Sequence, residues 1–420
     1  MSVLRDLRPS WWNAGWHLST LRQRLFGTDK HDIRSLLQML MESDGDCSSL
    51  IIAEQILDIY QRLDGSQKLD FFRCLDQEFD LDPAAVASLA AQYQKEPTTD
   101  SFRALTKAAE PRRQELLRRL NLMSGGTRHL VRMREDLLYA MDRHPDLGRV
   151  DIDFRHLFSS WFNRGFLVLQ PIDWTSPAHI LEKIIAYEAV HEIRNWNELR
   201  RRLEPVDRYC YAFFHPVMSD EPLVFVEVAL TMQMPSGIDE ILDRQRRPAE
   251  PEEATHAVFY SISSCHQGLR GVSFGNFLIK QVATSLKNRF PSLKSFVTIS
   301  PAPGFRDWLE EQHFTGEAPA PNDLARSPKV LLPLAARYFL QERRPDGEPL
   351  DPVARFHLKN GARLERLNAE ADLSEKGKGQ SLGLMVNYVY DLGRVEENHE
   401  VYMKDHRVLS SGQVRRLLPS

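Results

Sequence analysis

The sequence predicts an α+β protein in two parts, an all-helical bundle over residues 1–162 followed by a mixed-sheet α/β domain over residues 163–420. Three observations carry that expectation. From about residue 32 to residue 141, apolar residues recur at helical spacing almost without a break. Near residues 158–167 the composition shifts toward runs rich in β-branched and aromatic residues. Residues 257–305 then read as strand, glycine-bearing loop, helix, strand and Ser-Pro turn.

In the first part, Ile52, Ile56, Ile59 and Leu63 fall on one helical stripe, and Leu116, Leu117, Leu120, Val131, Leu137 and Leu138 continue such stripes. Breaks are expected at Asp44-Gly45-Asp46, Asp64-Gly65-Ser66, residues 96–100 and Ser124-Gly125-Gly126. The pattern is that of an up-and-down bundle without a catalytic constellation. Its pairs Arg112-Arg113 and Arg118-Arg119 read as solvated helix faces.

In the second part a helix is expected over residues 178–189, then strands over 208–215 (RYCYAFFH), 222–230 (PLVFVEVAL) and 257–263 (AVFYSIS). Hairpin-like breaks between them imply antiparallel pairing. A helix from near Asn276, keeping Leu278, Ile279, Val282 and Leu286 on one side, makes the pair with the next strand, 295–299, parallel. Residues 244–253 (RQRRPAEPEE) read as an exposed loop. A helix opens at Pro352 and stops near Gly361. Gly377 and Gly379 lie in a polar stretch expected to be mobile, and residues 382–390 (SLGLMVNYVY without its first residue) form a strand that points Tyr388 and Tyr390 to one face.

Composition narrows the partners. With 54 basic and 58 acidic residues the net charge is −4, which gives no global attraction to nucleic acid or to an anionic membrane, so any anion site must be local. Cys47, Cys74, Cys210 and Cys265 show no metal-ligand spacing and no disulfide framework, and read as reduced thiols. Among the N-terminal Arg5, Arg8, Trp11, Trp12 and Trp16 there is no apolar run of signal or membrane-spanning length, so the expected compartment is the cytoplasm.

The glycine loop is the first candidate site. Unpaired backbone N–H groups beside a helix N-terminus favour negative charge and can seat a pyrophosphate. Arg270-Gly271-Val272-Ser273-Phe274-Gly275 resembles the Arg/Gln-x-x-Gly-x-Gly/Ala loop with which the GNAT acyltransferase fold holds coenzyme A, with Ser273 in place of the first glycine. Arg270, Gly271, Val272, Ser273, Phe274, Gly275 and Asn276 are the candidate contacts, and Lys280, Lys376 and Lys378 are candidates for the adenosine phosphate.

Several ordered blocks extend the resemblance. Phe259-Tyr260-Ser261-Ile262-Ser263, Gln267-Gly268-Leu269, Ser300-Pro301 with Pro303-Gly304-Phe305, Phe356-His357-Leu358 with Asn360-Gly361-Ala362, and Gly383-Leu384-Met385 with Asn387-Tyr388 and Tyr390 resemble the malonyl-CoA decarboxylase family. That resemblance implies a helical oligomerisation domain, a GNAT-like catalytic domain, and conversion of malonyl-CoA to acetyl-CoA and carbon dioxide. It implies no metal or prosthetic group, coenzyme A being part of the substrate. It also implies Ser300 and His357 as the two catalytic residues, with Ser261 and Tyr390 in support. Ser273 stands where some members carry glutamate, so no carboxylate is expected to act there.

The chemistry is consistent with this. Loss of carbon dioxide from a malonyl thioester leaves an enolate, so the thioester is its own electron sink. Ser300 is expected to hold the malonyl carboxylate out of the thioester plane, and His357, with an ordinary pKa near neutrality, to protonate the carbon. Two other readings use the same fold: a CoA-dependent acyltransferase, which needs an acceptor site, and a non-catalytic acyl-CoA sensor or scaffold. The partners implied are malonyl-CoA, acetyl-CoA and further copies of the chain, without nucleic acid or membrane.

Overall fold

The computed structural model describes residues 32–272, 278–316, 319–324 and 327–418. Internal packing divides them into a helical unit, residues 32–162 with His266–Val272, and a sheet unit made of the rest.

The helical unit has helices Ile33–Glu42, Asp46–Tyr60, Gly65–Glu78, Pro83–Lys95, Thr99–Ala108, Arg112–Asn121, Gly126–Met141 and Gly148–Trp161. Their starts are written in local chemistry. The Asp32 carboxylate accepts from Ser35 N–H, Asp64 and Gln67 form a reciprocal cap, and Pro83 follows the Asp82 cap. Leu36, Leu40, Ile52, Ile56, Phe72, Leu117, Leu120, Val131 and Phe158 fill the core. Two of the arginines expected on solvated helix faces are instead held by partners elsewhere in the bundle, Arg113 buried and Arg119 half-buried. Arg113 is 2% exposed and bonds both Asp153 and, at 2.9 Å, Asp80; Arg119 donates to the Leu40 and Ser43 carbonyls at 2.6 and 2.8 Å. A guanidinium pays its desolvation when it closes a helix end or meets carboxylates on neighbouring helices, and such partners are not visible from an arginine pair alone.

The sheet unit is built on β1 (Val168–Ile172), β2 (Arg208–Phe214), β3 (Pro222–Thr231), β4 (His256–Ser264), β5 (Ser295–Thr298), β6 (Ser300–Pro301), β7 (Arg363–Asn368) and β8 (Met385–Tyr390). β1 to β4 are antiparallel neighbours, β4 and β5 are parallel, and β8 runs antiparallel to β5, β6 and β7. This is the mixed sheet expected of a GNAT-like domain. Helix Leu278–Arg289 makes the crossover between the parallel strands and buries Leu278, Ile279, Val282 and Leu286, as its spacing requires. Pairing of β4 with β5 stops at Phe259 and Thr298, while β4 continues beside β3 to Ser264.

Two expectations are corrected. Residues around Gly377 and Gly379 are not a mobile stretch but helix Glu375–Ser381, started by Ser374 accepting from Gly377 N–H. The last strand begins at Met385, because Leu382 and Gly383 take left-handed backbone angles before it. The loop over residues 244–253 is a loop, yet Arg246 fixes it to Asp207 through two hydrogen bonds of 2.7 and 2.8 Å.

Candidate active site

β5 and β6 are one extended run interrupted at Ile299, and β8 lies beside both. Residues two apart on such a run share a face, so Thr298 and Ser300 present their hydroxyls together. Opposite them stands helix Pro352–Lys359. It begins where Asp351 accepts from Ala354 N–H at 2.8 Å with Pro352 in the first turn, and it buries Ala354, His357 and Leu358. It ends before Gly361, whose φ is +79° and whose missing Cβ would lie 2.1 Å from the Val395 carbonyl oxygen, so only glycine closes this helix.

The outcome is a chain of hydrogen bonds in the buried interior. His357 Nε2 is 3.0 Å from Ser300 Oγ, and His357 Nδ1 is 2.7 Å from the Tyr390 hydroxyl. Ser300 donates to Thr298 Oγ1 at 2.9 Å. The Tyr388 ring stacks on the imidazole with centroids 4.5 Å apart. Ser300 and His357 are 6% and 3% exposed. Burial pushes His357 down to about 3 and holds the Tyr388 and Tyr390 hydroxyls well above the usual phenol range. The ring is therefore neutral at neutral pH, whereas the ordinary histidine value near neutrality would leave it partly charged. An acid here has to be a ring N–H.

Ser261 lies outside this chain. β4 and β3 shift register so that Phe259 faces Val228 and Ser261 faces Glu227, which leaves Tyr260 as the extra residue of a bulge. Phe259 packs in the cluster that holds Tyr388 and Tyr390, whereas Ser261 donates to Glu188 at 2.8 Å and lies 3.3 Å from Ser263 Oγ. Glu188 also accepts from Ser263 Oγ at 3.1 Å and from the Val190 and His191 N–H groups at 2.9 and 2.7 Å.

Of the loop candidates, Arg270, Gly271 and Val272 are described, and Ser273, Phe274, Gly275 and Asn276 lie outside the described residues. Gln267–Leu269 forms a helical turn, and residues 266–272 pack with the helical unit. Arg134 donates to the Gly268 and Arg270 carbonyls at 2.7 and 2.8 Å, and Gly268 N–H donates to Glu135 at 3.2 Å. A Cβ on Gly268 would lie 1.9 Å from the Val131 carbonyl oxygen, so this glycine serves a close approach rather than a ligand. Gly271 has φ +78°. Of the lysines, Lys280 pairs with Glu396, Lys376 donates to the Val190 carbonyl at 3.0 Å, and Lys378 is exposed. A cavity of about 900 Å³ opens elsewhere in the sheet unit, lined by His191, Arg202, Arg208, Asp372 and Lys376 among others.

Thr298 and Glu188 escaped the sequence reading. Thr298 had a signal, its place two residues before Ser300 in a strand. Glu188 had none, since it meets Ser261 across 73 residues of chain.

The family model of the malonyl-CoA decarboxylase C-terminal domain matches residues 165–327 and 319–420, and that of the malonyl-CoA decarboxylase N-terminal domain matches residues 79–162. The crystal structure of malonyl-CoA decarboxylase from Agrobacterium vitis is similar with a TM-score of 0.87 and 52% identity, covering 93% of this chain and 100% of that one. The one from Rhodopseudomonas palustris has a TM-score of 0.86 and 48% identity, covering 91% and 98%. The mitochondrial malonyl-CoA decarboxylase of Rattus norvegicus is 34% identical over an alignment of 408 positions that covers 84% of this chain and 82% of the rat protein. That of Anser anser anser is 33% identical over an alignment of 402 positions that covers 83% and 79% of the two chains.

Proposed function

The chain belongs to the malonyl-CoA decarboxylase family, and on that premise we propose that it converts malonyl-CoA to acetyl-CoA and carbon dioxide at the Ser300–His357–Tyr390 site. The observation that supports this most is the buried imidazole held between two hydroxyls, at 3.0 Å from Ser300 and 2.7 Å from Tyr390.

Ser300 receives the malonyl carboxylate and holds it out of the thioester plane, where the breaking bond overlaps the carbonyl π system. The bond between the carboxylate carbon and the α-carbon breaks, its electron pair passes into the thioester as an enolate, and carbon dioxide leaves. His357 then gives a ring proton to the α-carbon. A neutral imidazole can act through its N–H when the acceptor is as basic as a thioester enolate. Tyr390 holds the far ring nitrogen. Ser261 and Glu188 support this from the end of β4 by fixing the turn over residues 188–191.

Residues 270–276 seat the pyrophosphate of coenzyme A, and the helical unit joins copies of the chain. Helix Pro83–Lys95 buries none of its residues, and Leu122 and Tyr139 are 72% and 76% exposed, which supports an assembly role. The cytoplasm is the compartment that the composition favours; among the described residues no helix is long and apolar enough to cross a membrane.

The test is incubation of purified protein with malonyl-CoA alone. Carbon dioxide release with acetyl-CoA in equal amount is expected. Free coenzyme A that appears only with an added acceptor would make it a transferase, and binding without turnover a sensor. Single-turnover measurements on His357→Asn and Ser300→Ala should show losses on the order of a hundredfold or more with acetyl-CoA binding little changed. Near-parental turnover in either removes that residue from the mechanism.

A further inference from the structure

The ladder between β8 and the β5–β6 run keeps one register across its gap. Phe296 and Val297 face Tyr390 and Val389, and Ser300 and Pro301 face Val386 and Met385. Within the gap, side-chain atoms take over from the regular ladder. Tyr388 N–H donates to Thr298 Oγ1 at 3.2 Å, and the Asn387 side-chain amide donates to the Thr298 carbonyl at 2.8 Å. Thr298 is fully buried and thus held at both its polar ends by β8. Its Oγ1 also accepts the Ser300 hydroxyl at 2.9 Å.

That last bond decides where the ring hydrogen of His357 sits. A neutral imidazole has one N–H, and each of its nitrogens faces a hydroxyl that can either give or take a hydrogen bond. With the Ser300 proton directed to Thr298, Ser300 offers Nε2 only lone pairs. Nε2 must then carry the hydrogen, and the bare Nδ1 accepts from Tyr390. Without Oγ1 of Thr298, the remaining partner of the Ser300 hydroxyl in the free enzyme is Nε2 itself. The ring hydrogen then moves to Nδ1 and points at the Tyr390 oxygen. In that tautomer the nitrogen facing Ser300 is a base and has no proton to give.

We propose that Thr298 is a positioning residue that fixes the Nε2–H tautomer of His357 through the Ser300 hydroxyl before substrate binds, so that the ring is already a proton donor when that hydroxyl turns to the malonyl carboxylate. This rests on the roles given to Ser300 and His357 above.

The variants are Thr298→Val, which keeps the branched shape and loses the oxygen, and Thr298→Ser, which keeps the oxygen. Turnover and the Michaelis constant for malonyl-CoA are measured on the full chain. The histidine ring tautomer is read from ¹⁵N shifts after selective labelling, with His357→Asn identifying the signal. Thr298→Val should lower kcat on the order of a hundredfold with KM nearly unchanged and move the ring hydrogen to Nδ1, and Thr298→Ser should restore both. Parental kcat in Thr298→Val, or a lost kcat with the tautomer unchanged, overturns the proposal. If Ser300→Ala and His357→Asn also turn over at the parental rate, the reading of the site falls with it; if they are inactive, only the role of Thr298 falls. Should Thr298→Val not fold, the unaltered protein decides by itself, because a ring hydrogen found on Nδ1 overturns the proposal.

Discussion

At the scale of single residues, the neutral ring of His357 links the site to acid stability. The unfolded ring takes up a proton near its ordinary value of 6.5, whereas in the folded protein burial delays this until about 3. Between those values the unfolded state binds more protons, so this contribution to stability is complete above about 6.5 and is lost as pH falls toward 3, at no more than about 1.4 kcal/mol per pH unit. His191, pushed down to about 4 chiefly by burial, acts in the same direction. Urea midpoints from pH 7 to pH 5 should therefore fall less steeply for His357→Asn than for the parent, and equal slopes would contradict the buried neutral ring. Tyr390→Phe leaves Nδ1 without its 2.7 Å partner. An orphaned buried acceptor costs about 1–3 kcal/mol, so roughly tenfold slower turnover is expected, with acetyl-CoA affinity retained.

At the scale of elements, the helix that carries His357 depends on how it ends. Gly361→Ala sets a Cβ against the Val395 carbonyl oxygen at 2.1 Å in a left-handed conformation, and should destabilise the protein by about 2 kcal/mol or more while lowering turnover. A parental melting temperature and rate would show that the end can re-form. This helix was legible before any coordinates, from Pro352 at its start and Gly361 at its end, because start and stop signals are local. So were β2, β3, β4 and β5, whose apolar runs differ from the observed bounds by a residue or two, and β8 apart from its start, whereas β1, β6 and β7 were not expected. What could not be read was whatever depends on two distant segments meeting. Arg113 finds Asp153 on another helix, and the β4 bulge that turns Ser261 toward Glu188 arises from a register shift against β3. The family resemblance implies Ser300, His357 and Tyr390, which do meet, and Ser261, which bonds Glu188 instead; it implies nothing of Thr298, whose proposed role comes from its bond to the Ser300 hydroxyl. In the loop proposed to seat coenzyme A, a bulky residue at Gly271 should raise the Michaelis constant for malonyl-CoA, since its φ of +78° favours glycine and the proposed pyrophosphate contact requires close backbone approach. Unchanged affinity in a folded variant would count against that seat.

At the scale of the whole molecule, assembly is open to a direct test. Phe102, Leu122 and Tyr139 are 55%, 72% and 76% exposed on the helical unit, and replacing Leu122 and Tyr139 with glutamate should lower the mass found by sedimentation if this unit joins copies of the chain. An unchanged mass would place the interface elsewhere. The grouping of His266–Val272 with the helical unit bears on how the chain comes to be folded as it is made. Arg134 is 1% exposed, is bonded to Asp151 at 2.7 Å, and reaches the carbonyls of Gly268 and Arg270, which follow it by 134 and 136 residues. When the ribosome has released residue 162, every helix of that unit is present, but the buried guanidinium still lacks two acceptors. Synthesis at roughly 5–20 residues per second delays them by on the order of ten seconds. During that interval the N-terminal half waits for a segment encoded in the middle of the other half, so a nascent chain stalled at residue 162 should be cut by protease more readily than the same helices in a chain extended past residue 300.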